Sequence, residues 1–187
     1  MMTAAALSDF VLALAAFAVA GRWGRGRPAL QIGSLLTAVA ALVGAITYAG
    51  LLPLYGLHDA LSLIAAVSGL PMLALGLTWP QSATARRAPF AWGLALAAAA
   101  LGLVVVGLHG PKALLEGVAV VSMLVILLAG ALRLDRPRQI TGLLLLLGAA
   151  TFRLGVHAGA SVPPVAMLHI FMAGAFLVML RIVAYGP

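Results

Sequence analysis

Four histidines, four carboxylates and eleven basic residues carry the charge chemistry of this 187-residue chain, and several of them interrupt apolar sequence. His169 stands in VPPVAMLHIFMAGAF, about one and a half turns into an apolar run, or roughly 8 Å below its start at about 1.5 Å per residue. Glu116 lies about one turn into another run, and Arg153 about one turn from the end of a third. Asp9, His58, Asp59 and His157 mark the ends of further runs. Imidazoles and carboxylates gathered in this way could hold a metal, ligate a b-haem or relay a proton. Each also has a plainer role. A neutral His169 is satisfied by one carbonyl or hydroxyl of a neighbouring helix, and Arg153 reaches the interface along its own stem. Glu116 pairs with Arg153 or Lys112, and His58 and His157 are solvated near loops.

The elements that must position these residues follow from composition. The chain is 64% hydrophobic and 8% charged, with a mean hydropathy of +1.18. Soluble domains have roughly 45–50% apolar and about 25% charged residues. The expectation is an all-α polytopic membrane protein, a single domain of seven transmembrane helices at about 4–20, 29–50, 59–79, 89–108, 112–133, 139–156 and 164–184. The first and sixth are the shortest, and six spans plus one interfacial segment is the competing count. Pro71, after Ser68-Gly69-Leu70, should kink the third helix and free a carbonyl that Ser68 or a neighbour helps satisfy. The fourth and fifth helices, rich in Ala, Gly and Leu, read as scaffold. No internal repeat supports an inverted-repeat transporter, and the absence of cysteine excludes disulfides, thiolate metal sites and cysteine nucleophiles.

Charge sets the expected orientation. Arg22, Arg25, Arg27, Arg86, Arg87, Arg133, Arg136, Arg138 and Arg181 fall on one side, leaving Lys112 and Arg153 on the other. The positive-inside rule then puts the N-terminus outside and the C-terminus inside a cell membrane, with a bacterial inner membrane the expected compartment. Trp23, Trp79 and Trp92 mark the inner boundary, and Asp135 stands there among the arginines as their pairing partner. A net charge of +7 would favour nucleic acid in a soluble protein; arginines at helix ends explain it without one. Ala18-Val19-Ala20 before Gly21 resembles a signal-peptidase site, but the segment lacks a basic start and has arginines after it, so an uncleaved first helix is expected.

With seven helices, an external N-terminus and a histidine in the first third of the last helix, the chain resembles the CREST superfamily of alkaline ceramidases, adiponectin/progestin-type receptors and small bacterial seven-helix proteins. Leu7-Ser8-Asp9-Phe10 looks like the Thr/Ser-Asp-aromatic opening of the bacterial members, and Gly44-Ala45-Ile46-Thr47-Tyr48-Ala49-Gly50 like their Gly-Thr-x-His-Gly segment. The resemblance implies a zinc held by one histidine ending helix two and two at i, i+4 in helix seven, with a serine and an aspartate assisting amide hydrolysis. Here His169 matches one ligand seat and Asp59 could take the aspartate's, but Ala49 and Val165 occupy the other two ligand seats and Ala45 the serine's. Fold carries over from this resemblance; zinc hydrolysis does not, unless His58 or His157 substitutes.

The function expected first is a non-catalytic bundle that binds an apolar or lipid-like ligand, or a membrane partner, from its outer face. The alternatives are a metal-dependent hydrolase drawing on His169, His58, His157, Asp59 and Glu116, a b-haem protein using His58 and His169, and a proton-coupled transporter using Glu116, Arg153 and His169. Walker, Rossmann and serine-elbow motifs are absent from the sequence.

Overall fold

The computed structural model describes residues 3–23, 26–158 and 162–184, and their side chains except at 23, 112, 156–158, 183 and 184. Arg25 and the side chains of Trp23, Lys112 and His157 therefore lie outside what is described. Seven long helices and no strand occur among these residues. They are α1 (Ala4–Trp23), α2 (Pro28–Tyr48), α3 (Tyr55–Thr78), α4 (Ala88–Gly107), α5 (Lys112–Leu132), α6 (Arg136–Ala158) and α7 (Pro164–Ala184), with a one-turn helix, Ala83–Arg86, before α4.

Local chemistry sets the ends. Prolines stand in the first turns of α2, α4 and α7, where a missing N–H costs nothing. Gly50 closes α2 in the left-handed region (φ 72°), letting Leu51 N–H donate to Ile46 O at 3.1 Å. The third helix begins at Tyr55, earlier than the expected 59, so His58 and Asp59 lie within its first turns rather than opening it.

Six of the seven are long and apolar enough to cross a membrane: α1, α2, α3, α4, α5 and α7. Among the described residues α6, which carries Arg136, Arg138, Gln139 and Arg153, is not one of them.

The helices close into a ring. α1 packs on α2, α2 on α3, α3 on α5, α5 on α6, α6 on α7, and α7 returns to α1. α4 stands outside the ring against α2 and α3. Small residues let the backbones approach: a Cβ built on Gly142 of α6 would lie 2.5 Å from Leu127 N of α5. Ala13, Ala15 and Ala16 of α1 are buried in the core that holds Phe176 and Met179 of α7.

At Pro71 the local solution differs from the expectation. A π-helical turn, Ala65–Gly69, precedes the proline and absorbs the irregularity within α3. The Ser68 hydroxyl does not serve its own helix; it donates to Ala95 O of α4 at 2.8 Å and ties that outer helix to the ring. At the arginine-bearing end, Arg138 donates through Nε to Leu77 O in the last turn of α3 at 2.9 Å and pairs through Nη1 with Asp135, whose Oδ1 accepts from Arg138 N at 3.1 Å. Asp135 thus pairs with an arginine as its sequence position suggests.

Candidate functional site

The ring helices line a half-open cavity of about 580 Å³, within the range of roughly 300–1,000 Å³ usual for small-molecule sites. All six ring helices line it and α4 does not. Its walls are mostly small and apolar, with Leu12, Ala41, Ala66, Leu70 and Met123 among them.

Against this wall three ionisable side chains converge. Asp9 of α1 has no exposed surface, and His58 of α3 and His169 of α7 are 7% and 9% exposed. Asp9 Oδ1 lies 2.9 Å from His169 Nδ1. The distance is that of an ion pair, yet the atoms are not aligned as donor and acceptor. Neither Asp9 oxygen nor His169 Nδ1 has a properly directed hydrogen-bond partner among the described residues. His58 Nδ1 lies 3.3 Å from Ala40 O. A carbonyl accepts only, so Nδ1 is the donor of this contact. Tyr48 packs edge-on against the His58 ring, with centroids 5.3 Å apart and planes at 78°.

Gly44 of α2 explains how the cluster fits. A Cβ built there would lie 2.5 Å from Asp9 Oδ2 and 2.6 Å from His58 Cε1. Carboxylate and imidazole therefore meet over a bare stretch of helix that any larger residue would occupy. In the sequence Gly44 opens the family-like segment Gly44–Gly50 and carries no other mark. The signal that could have found it is a glycine in the middle of a helix, at a cost of about 1 kcal/mol relative to alanine, on the turn facing an aspartate.

At the exposed rim of the same cavity, Arg153 Nη2 of α6 donates to Glu116 Oε2 of α5. This is one of the two pairings expected of Glu116 from the sequence, and its side chains are 59% and 49% exposed. Asp59 is exposed on α3 and does not line the cavity. The His157 side chain lies outside the described residues.

Of the sequence candidates, then, Asp9, His58 and His169 form one buried group and Glu116 and Arg153 a second at the rim. Among the described residues no set of three or more histidine or acidic side chains is arranged to hold a metal ion. Ala49 caps α2 and Val165 lies in the first turn of α7; neither offers a ligand atom. The buried Asp9–His169 contact, which lacks an aligned hydrogen bond, defines what the site can do. Carboxylate oxygens accept hydrogen bonds, and leaving a buried acceptor without a donor costs about 1–3 kcal/mol. No family model, no curated protein and no solved structure matches the chain.

Proposed function

We propose that this integral membrane protein is a seven-helix bundle that holds an amphipathic, lipid-like molecule in its ring cavity, with the molecule's hydrogen-bond-donating head on Asp9. The observation that carries this reading is the pairing of an apolar wall with a fully buried carboxylate whose oxygens lack directed donors. A hydroxyl, amide N–H or ammonium donates to that carboxylate. The chain of the ligand lies along Leu70 and Met123. α5 meets α3 chiefly through the π-turn and the half after it, Leu70–Thr78, which leaves the earlier half of α3 as the flank from which a lipid tail enters. In this reading α6 is the seventh span, the N-terminus is outside and the arginine end faces the cytoplasm of a bacterial cell.

An architecture shared with the CREST superfamily belongs to the same proposal and rests on the histidine of α7 and the aspartate of α1. Its zinc chemistry is left out, because Ala49 and Val165 bring no ligand atoms.

The test titrates dodecanol, dodecanamide and dodecane against the purified protein in detergent and reads thermal stability, since a ligand of the folded state raises it. The alcohol and amide should stabilise and dodecane should not, and Asp9→Asn should erase the difference. Equal effects of all three, or none, would overturn the assignment of the head to Asp9. Metal analysis of the same preparation closes the catalytic alternative: stoichiometric zinc lost in His169→Ala would replace ligand holding with hydrolysis.

A further inference from the structure

The four carboxylates of the chain are unevenly placed. Asp9, Asp59 and Glu116 stand towards the cavity end, and Asp135 is the one acidic side chain in the arginine-bearing loops of the sequence. There, a second concavity of about 640 Å³ is lined by Arg27, Arg133, Arg136, Arg138 and Arg181, with Asp135 the lone carboxylate. These arginines come from the start of α2, the α5–α6 turn and the last turn of α7, segments far apart in sequence. Topology alone asks for arginines on one face, and it is satisfied by side chains splayed towards separate headgroups. It does not ask five guanidinium groups to share one hollow.

Their crowding is visible at Arg138, in the first turn of α6 and outside the expected 139–156 span. Its own burial, then Arg133, then Arg27 push its guanidinium below the ordinary arginine value. Arg138 is nevertheless held in place by Leu77 O and Asp135. The N-terminal ends of two long helices also point here. α2 and α6 have no acidic residue in their first turns, and α2 has no side-chain cap. The positive ends of these two helices add to the field of the arginines.

We infer that this arginine-lined concavity binds a phosphate group, carried by an anionic lipid headgroup or by a soluble phosphate, at the inner end of the bundle. Guanidinium forks match phosphate oxygens in pairs.

The experiment uses the full-length protein in nanodiscs of neutral phosphatidylcholine and measures binding of inorganic phosphate by calorimetry. In parallel, native mass spectrometry follows uptake of phosphatidic acid from mixed micelles. Arg133→Gln/Arg181→Gln removes two exposed arginines of the hollow. Arg22→Gln/Arg87→Gln removes two from the same end but outside it. The first pair should weaken binding about tenfold and the second should leave it near wild type. Capture of phosphatidic acid without inorganic phosphate assigns the site to a lipid headgroup, and capture of both assigns it to free phosphate as well. Equal losses in the two double variants would reduce the hollow to the general field of this face and overturn the inference. Absence of binding by either probe to wild type would do the same.

Discussion

At the scale of single residues, the account turns on a carboxylate kept where carboxylates are costly. Asp9 has no exposed surface and faces His169 at 2.9 Å without an aligned hydrogen bond, so the pair holds its position without using up the acceptor capacity of the carboxylate. Gly44 makes the arrangement possible, and its replacement is the most informative single change. Gly44→Ala should drive Asp9 Oδ2 and His58 Cε1 apart, lower stability by about 1–3 kcal/mol as overpacking does, and weaken amphipath binding together with it. Detergent-solubilised melting with and without dodecanol checks both. Much of this site was legible in the sequence. Asp9, His58 and His169 are polar interruptions of apolar runs at one end of the bundle, and such interruptions are rare enough in membrane helices to be noticed. What could not be read is which of them meet. Asp59 follows His58 directly, yet consecutive helix residues point about 100° apart, and the helix turns Asp59 outward while His58 turns in.

At the scale of elements, the apolar runs located every long helix, because a span requires an unbroken stretch of about 20 apolar residues and little else interrupts this chain. The ends shifted where turn chemistry intervened. α3 starts early, at Tyr55, just after Pro53-Leu54. The π-turn at Ala65–Gly69 was not legible, since Pro71 announces an irregularity without saying whether the helix will bend or widen. Helix crossings were likewise hidden, because glycine is frequent in membrane helices and nothing local separates a packing glycine from a lipid-facing one. The structure separates them. Gly142→Ala puts a Cβ 2.5 Å from Leu127 N, so α5 and α6 must part, whereas Gly93→Ala and Gly117→Ala meet nothing within 4 Å. Thermal melts should show Gly142→Ala destabilised by about 1–3 kcal/mol and the other two unchanged or slightly stabilised.

At the scale of the whole molecule, one chemistry occupies each end: a carboxylate–imidazole cluster inside the ring at one, a hollow of arginines at the other. A chain without cysteine is ready for accessibility mapping of that polarity. Single cysteines at Leu57 and Val162 should react with a membrane-impermeant maleimide added to intact cells, and one at Ala83 should react only after lysis. A protected cysteine at Val162 would deny α6 its span. The ring explains why a cavity forms at all. Six helices closed on one another leave an interior that small residues do not fill, while α4, outside the ring, contributes nothing to its lining. That the interior holds a lipid-like molecule is the central claim, and native mass spectrometry of the protein released from mild detergent tests it most directly. Wild type should retain one lipid-like adduct, and both Asp9→Asn and Ala66→Phe, which narrows the cavity wall, should lose it while staying folded. Bare wild-type protein under conditions that preserve membrane-protein lipids, or an adduct equally abundant in wild type and Ala66→Phe, would contradict the account.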